Sequence, residues 1–391
     1  MSATAGRVLS ARNAVALSFG LNGFAFASWI SRIPETRSRL GLDNGGLGLL
    51  LLCLSVGSLL AMPSAGALVN RIGAAGVVRV GTTLDALGLL GITLGAGVVE
   101  SVWVTGAGLF VYGMGTGVWD VAMNVEGADV ERRLGRTIMP RFHAAFSFGT
   151  VIGAGVGALA VLVEVPLPAH LVGVAILIMA GSLATLPYFL PVEAPVEDAL
   201  PSVTTARAWL EPRTLLIGMM VLALALTEGT ANDWLALALQ DGYGVERWLG
   251  VLGFAGFVVA MTGGRLVGPV LLDRFGRVAV LWATMAAAEV GVLLIVFGGS
   301  AALVVPGIAL WGFGASLGFP VGMSAAADDP VHAAARVSVV STIGYTAFLA
   351  GPPLLGFLGS HFGVLNALLV VSIILVPSAL AVPAARKLDP A

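Results

Sequence analysis

Apolar residues run along this chain in long continuous stretches that do not alternate with period two. A helix that crosses a bilayer needs about 20 mostly apolar residues. Twelve runs meet that need: 13–31, 44–69, 80–99, 101–125, 142–163, 165–190, 214–240, 248–272, 278–299, 301–325, 337–360 and 362–383. The pattern predicts an all-α membrane protein with twelve transmembrane helices. It excludes a β-barrel, whose strands alternate lipid-facing and lumen-facing side chains.

Composition sharpens the prediction. Of 391 residues, 58% are hydrophobic and 11% charged. Soluble domains carry about 25% charged residues. So few charges cannot coat a water-soluble enzyme, a nucleic-acid binder or a disordered chain, and the partner of most of this surface is the lipid bilayer. The 53 glycines fit close helix packing in lipid. Cys53 is the sole cysteine, so no internal disulfide or Cys-rich metal site is expected. Arg7 and Arg12 precede a first run that continues to about Ser31, which reads as a retained helix rather than a cleaved leader.

The basic residues give an orientation. With the N-terminus inside, only Arg32, Arg37, Arg39 and Arg247 of the 20 Lys and Arg fall on the outer side. That asymmetry places both termini in the cytoplasm of a bacterial-type inner membrane. A polar interruption divides the chain into an N-terminal bundle (1–190), a cytoplasmic linker (191–213) and a C-terminal bundle (214–391). The linker holds Glu193, Glu197 and Asp198. The halves repeat each other. Asn70–Arg71 in GALVNRIG matches Asp273–Arg274 in PVLLDRFG, 203 residues on; Trp29 matches Trp234, and Arg141 matches Arg336.

These strings resemble the major facilitator superfamily, whose loop after the second helix carries G-x-x-x-D-R-x-G-R. The first copy here has Asn70 for Asp and Ala74 for the last Arg; the second keeps Asp273, Arg274, Gly276 and Arg277. The resemblance implies two pseudo-symmetric six-helix bundles, with Asn70, Arg71, Asp273, Arg274 and Arg141 as gating residues. Four further strings, ASWISRIPE, WDVAMNVEG, FHAAFSFGTVIGA and FLAGPPLLG, are similar to the MosC-like branch, tied to an inositol-derived amine. They imply a permease for a sugar-like, polyol-like or inositol-amine-like solute.

A charge at mid-membrane costs about 2.5–3.5 kcal/mol even on insertion scales, so each carboxyl in a span needs a reason. There are five: Asp85, Asp120, Glu228, Asp233 and Glu289, with Glu126 at the inner end of the fourth run. Asp120 shares a helical face with Asn124, and Gly113 and Gly117 on that face admit another helix or a ligand. Asp120 and Glu228 are the proton-coupling candidates, a structural hydrogen bond from Asp120 to Arg141 or His143 being the alternative. Glu228, Asn232, Asp233 and Trp234 suit a hydroxyl-rich or cationic ligand, as do Asn22, Phe26 and Trp29 in the first run. Trp residues in interfacial belts are the competing reading. Asp85 and Glu289 are expected to face a neighbouring helix or an Arg. His143 reads as a solvated edge residue or a relay. Arg265 is expected to snorkel or to pair with Asp273.

GTVIGAGVG at 149–157 lacks the strand–turn–helix setting of a nucleotide loop and reads as helix packing. No metal constellation, cofactor motif or nucleophile–base pair is visible. The expected function is secondary active transport of a small-molecule substrate by a monomer, by alternating access about a midplane site and coupled to protons. The alternative is a proton-driven multidrug efflux antiporter. Helix four has no Arg, and Ala154 stands where such antiporters carry Pro, which counts against that alternative.

Overall fold

The computed structural model describes residues 3–134, 138–190, 205–326, 328 and 333–387. The chain forms two compact units, Met1–Pro195 and Val196–Ala391. Of the linker expected at 191–213, residues 191–204, with their three acidic residues, lie outside the described residues. Lipid offers the backbone no hydrogen bonds, so these apolar runs close their bonds as helices. No strand occurs among the described residues.

The first unit holds α1 (Ala3–Ile30), α2 (Ile33–Arg39), α3 (Asn44–Gly97), α4 (Val102–Leu134), α5 (Met139–Leu162) and α6 (Leu167–Thr185). The second holds α7 (Thr205–Ala208), α8 (Pro212–Tyr243), α9 (Arg247–Phe297), α10 (Ala301–Ala315), α11 (Gly318–Ala326), α12 (Ala333–Phe362), α13 (Val364–Ala367) and α14 (Leu369–Ser378).

Helices α3 and α9 run for 54 and 51 residues, and each contains two spans. Each breaks at one glycine: Gly73 at φ 75°, ψ 162° and Gly276 at φ 75°, ψ 164°. Essentially only Gly occupies that backbone region. The two breaks are 203 residues apart, the spacing of the repeated motif, so the motif's glycine is the hinge between successive spans. Among the described residues, ten helical stretches are long and apolar enough to cross a membrane, with Arg247–Phe297 counted once. Dividing it at Gly276 and adding the glycine-rich, 33-residue α4 gives twelve.

Glycine sets the crossings. Gly149, Gly153 and Gly157 of α5 lie against Gly20 and Phe24 of α1 and Ser31 just beyond its end, where a β-carbon would strike backbone or side chain. The 149–157 string is therefore a packing seam. The repeat extends to these contacts. Gly88 seats Tyr112 in the first unit, and Gly291 seats Trp311 in the second. Gly115 packs on Asp85 just as Gly314 packs on Ala288.

Candidate functional site

In the second unit, α8 carries two carboxyls five residues apart, which at 100° per residue sets them about 140° apart around the helix. They meet different neighbours. Glu228 faces α9: Arg265 Nη2 donates to its Oε1 at 3.1 Å and its Oε2 at 3.2 Å. Arg265 Nε also donates to the Ser316 carbonyl oxygen at 3.4 Å. Arg265 thus pairs with Glu228 and not with Asp273, which is exposed at the far end of that span. A guanidinium inside an apolar bundle takes the carboxylate within its reach.

Asp233 faces α12. It lines a narrow cleft of about 190 Å³, open mouth included, with Gly229, Thr230, Trp234, Phe348, Gly351 and Pro352 around it. Asp233 makes no hydrogen bond or ion pair among the described residues. Thr230 and Trp234 are 3% and 1% exposed, and Thr230 Oγ1 and Trp234 Nε1 are also without partners. Asn232, beside them in sequence, is buried.

In the first unit, Asn22 and Trp29 of α1 are buried, Phe26 is half-buried, and Asn22 Nδ2 lacks a partner. Trp29 and Trp234 are each 1% exposed, so neither indole belongs to an interfacial belt. Asp120 of α4 accepts from Asn124 Nδ2 at 3.3 Å, and the same amide donates to the Asp120 carbonyl at 2.8 Å. The alternative partners, Arg141 and His143, are exposed on α5, and the hydrogen bond of Asp120 runs to Asn124 on its own helix. Gly113 and Gly117 are occupied by α3, against Leu54 and Ser58, so they seat a helix and not a ligand. Asp85 accepts from Thr116 Oγ1 at 3.1 Å. Glu289 Oε2 is buried without a partner. These two carboxyls lie on the second limbs of α3 and α9.

The motif residues expected to gate sit at helix ends. Arg71, Asp273 and Arg274 are exposed, and Arg274 lies over the Phe275 ring at 5.2 Å. The side chain of Asn70 lies outside the described residues. The ties in the second unit come from neighbouring residues. Arg277 Nη1 donates to both Asp328 oxygens at 2.7 and 2.9 Å, and Arg213 Nη2 reaches Asp328 at 3.0 Å. Arg336 Nε holds Glu211 at 2.6 Å. In the first unit Ala74 replaces Arg277, and Asp129, the counterpart of Asp328, bonds Arg133 on its own helix at 2.9 Å.

Three polar clusters have partners that the sequence did not reveal. Arg32, 1% exposed, donates to His170 Nδ1 (2.9 Å), Glu35 Oε2 (2.7 Å) and the Val165 carbonyl (3.0 Å). The i, i+3 spacing of Arg32 and Glu35 around Pro34 was the available signal. Glu131 Oε2 accepts from the backbone N–H groups of Ile138 and Met139 and so caps α5. Glu126 Oε1 accepts from Leu190 N–H at 2.6 Å.

The sequence model of the Major Facilitator Superfamily matches residues 15–328. An MFS-type transporter of Yersinia pestis is 34% identical over 344 residues, covering 88% of this chain and 87% of the relative. The membrane protein MosC of Rhizobium meliloti is 27% identical over 362 residues, covering 92% and 86%. The crystal structure of the nucleoside transporter NupG superposes with a TM-score of 0.75 at 16% identity, covering 98% of this chain and 100% of NupG. That likeness speaks for the fold.

Proposed function

The chain belongs to the Major Facilitator Superfamily and is a multi-pass membrane transporter; from that premise we propose that it carries a small polar solute of the sugar, polyol or inositol-amine class, coupled to protons. Alternating access is the mechanism of such repeat-built carriers. The observation that carries the reading is a pair of carboxyls, Asp120 and Asp233, lying inside spans with no cationic partner among the described residues. Unpaired carboxyls within a membrane mark substrate or proton paths. The charge state of such a group depends on its access to water, which alternating access changes in every cycle.

In this reading Asp120 binds the proton in the first unit. Glu228 joins the coupling through its ion pair with Arg265, whose guanidinium it holds. Asn22, Phe26, Trp29, Asn124, Asn232, Asp233 and Trp234 supply amide, carboxyl and aromatic groups for hydroxyls and rings. Arg71, Asp273, Arg274 and Arg141, with Asn70, act at the helix ends in gating. The distribution of Lys and Arg supports cytoplasmic termini in a bacterial inner membrane.

A thermal-shift screen of the purified protein tests the substrate class, since a ligand that binds only the folded state raises its apparent stability. The panel contains sugars, polyols, an inositol amine and cationic dyes. The expected result is a shift with a polyhydroxylated compound. A shift confined to the dyes would replace this reading with multidrug efflux.

A further inference from the structure

We propose that Asp233 is the proton-binding carboxyl of the second unit, a role that rests on the proton-coupled reading above. Of the three carboxyls on α8, Glu228 and Asp233 lie inside the span, but their surroundings differ. Glu228 is held by Arg265 at 3.1 and 3.2 Å, and each side chain is about one-fifth exposed. Adding a proton there means giving up an ion pair. Asp233 has no such bond to lose.

The cleft serves both states of Asp233. Ionised, a carboxylate only accepts; protonated, it also donates. Thr230 Oγ1 donates or accepts, and Trp234 Nε1 donates. Both line the cleft with their hydrogen-bonding capacity unspent. Three unspent polar side chains in one hollow are uncommon, because buried polar groups are nearly always bonded. The remaining wall, Leu226, Ala347, Phe348, Gly351 and Pro352, has no polar side chain to neutralise the carboxylate.

No other charge competes for Asp233. Helices α10, α11, α13 and α14 and the 3-10 segment Ala379–Ala385 carry no titratable group. Of those on α9, Arg265 binds Glu228 and Arg277 binds Asp328, while Asp273 and Arg274 are exposed near Gly276 and Arg247 and Glu289 lie elsewhere along its length. Along α12, Arg336 binds Glu211, Tyr345 rests between Phe319 and Phe348, and His361 sits at the exposed C-terminal end. On α8, Arg213 binds Asp328 at one end, and Asp241 and Tyr243 lie at the other.

The two units also differ at this point in the repeat. By the Trp29–Trp234 correspondence, Asp233 matches Ser28 of α1. There α5 closes on α1, with a β-carbon at Gly153 lying 2.5 Å from the Phe24 carbonyl oxygen. By the Arg141–Arg336 correspondence, Phe348 of α12 stands at the position of Gly153, and its ring lines the cleft beside Asp233. The second unit places a carboxyl in this cleft, where the first unit has Ser28. The step is a single protonation: water on one face supplies the proton, an O–H bond forms on Asp233, and the same bond breaks to return the proton to water on the other.

Infrared difference spectroscopy of the full-length protein in lipid, titrated from about pH 9 to about pH 5, tests this without a substrate, since it spans the neutral range in which a carrier carboxyl must exchange. The expected result is a protonated-carboxyl absorption in the wild type that loses one component, though not the part due to Asp120, in Asp233→Asn and keeps that component in Glu228→Gln. Asp233→Glu keeps a band at a shifted frequency, and it carries the test if the Asn variant does not fold. A wild-type band unchanged in Asp233→Asn, or unshifted in Asp233→Glu, overturns the assignment while leaving proton coupling intact. No protonated-carboxyl band in the wild type removes both.

Discussion

The Glu228–Arg265 pair permits a quantitative test of how the second unit holds its charges. The contacts are 3.1 and 3.2 Å, and the side chains are 18% and 20% exposed. Two unit charges about 4 Å apart attract by about 4 kcal/mol at an effective dielectric near 20. Desolvation and one-fifth exposure return much of that, leaving a coupling of about 1–3 kcal/mol. Glu228→Gln leaves Arg265 facing an amide, and Arg265→Gln leaves Glu228 without a counter-charge, so each variant loses about 2–4 kcal/mol. The double variant places two neutral amides together and loses less than the sum of the two. Unfolding in mixed detergent micelles, run as a double-mutant cycle, reads the difference. Strict additivity of the two single losses would refute the pairing, because uncoupled sites add to within about 0.3–0.5 kcal/mol.

Further outcomes follow from other particular contacts. Gly276→Ala forces a β-carbon onto a backbone at φ 75°, ψ 164°, and costs about 1–3 kcal/mol in the same unfolding assay. Gly155→Ala, with nothing within 4 Å of the added carbon, is nearly neutral, whereas Gly149→Ala on the same helix strikes Gly20 and lowers stability measurably. Removing the α5 cap by Glu131→Ala leaves the Ile138 and Met139 N–H groups without their acceptor and costs about 1–3 kcal/mol. Arg32→Lys keeps the charge but not the planar fork that reaches His170, Glu35 and Val165; thermal shift shows it destabilised nearly as much as Arg32→Gln.

The fold was legible because lipid imposes it. Continuous apolar runs have one way to satisfy their backbone, so twelve runs became twelve spans. The repeat was legible too, and Gly73 and Gly276 show why: a sharp break between spans needs a residue that only glycine supplies. The positions of the carboxyls along the spans were readable, but their partners were not. Helical period placed Asn124 beside Asp120, and the structure joins them. It does not say which helix lies opposite Glu228, since Arg265 is 37 residues away in sequence. The same limit hid Arg277–Asp328 and Arg32–His170, whose residues are 51 and 138 apart. Thr230 escaped notice because a threonine in an apolar helix usually bonds its own backbone, as Thr227 does to the Ala223 carbonyl at 2.7 Å.

Under the proposed coupling, a polar solute and protons cross the bilayer together. The direct measurement loads proteoliposomes with a pH-sensitive dye and adds the best hydroxylated compound from the thermal-shift panel across the bilayer. A solute-dependent pH change inside the vesicles is expected, abolished by a protonophore and lost in Asp120→Asn and Asp233→Asn. Solute uptake with no pH change in the wild type, or a pH change of full size in both variants, would contradict it.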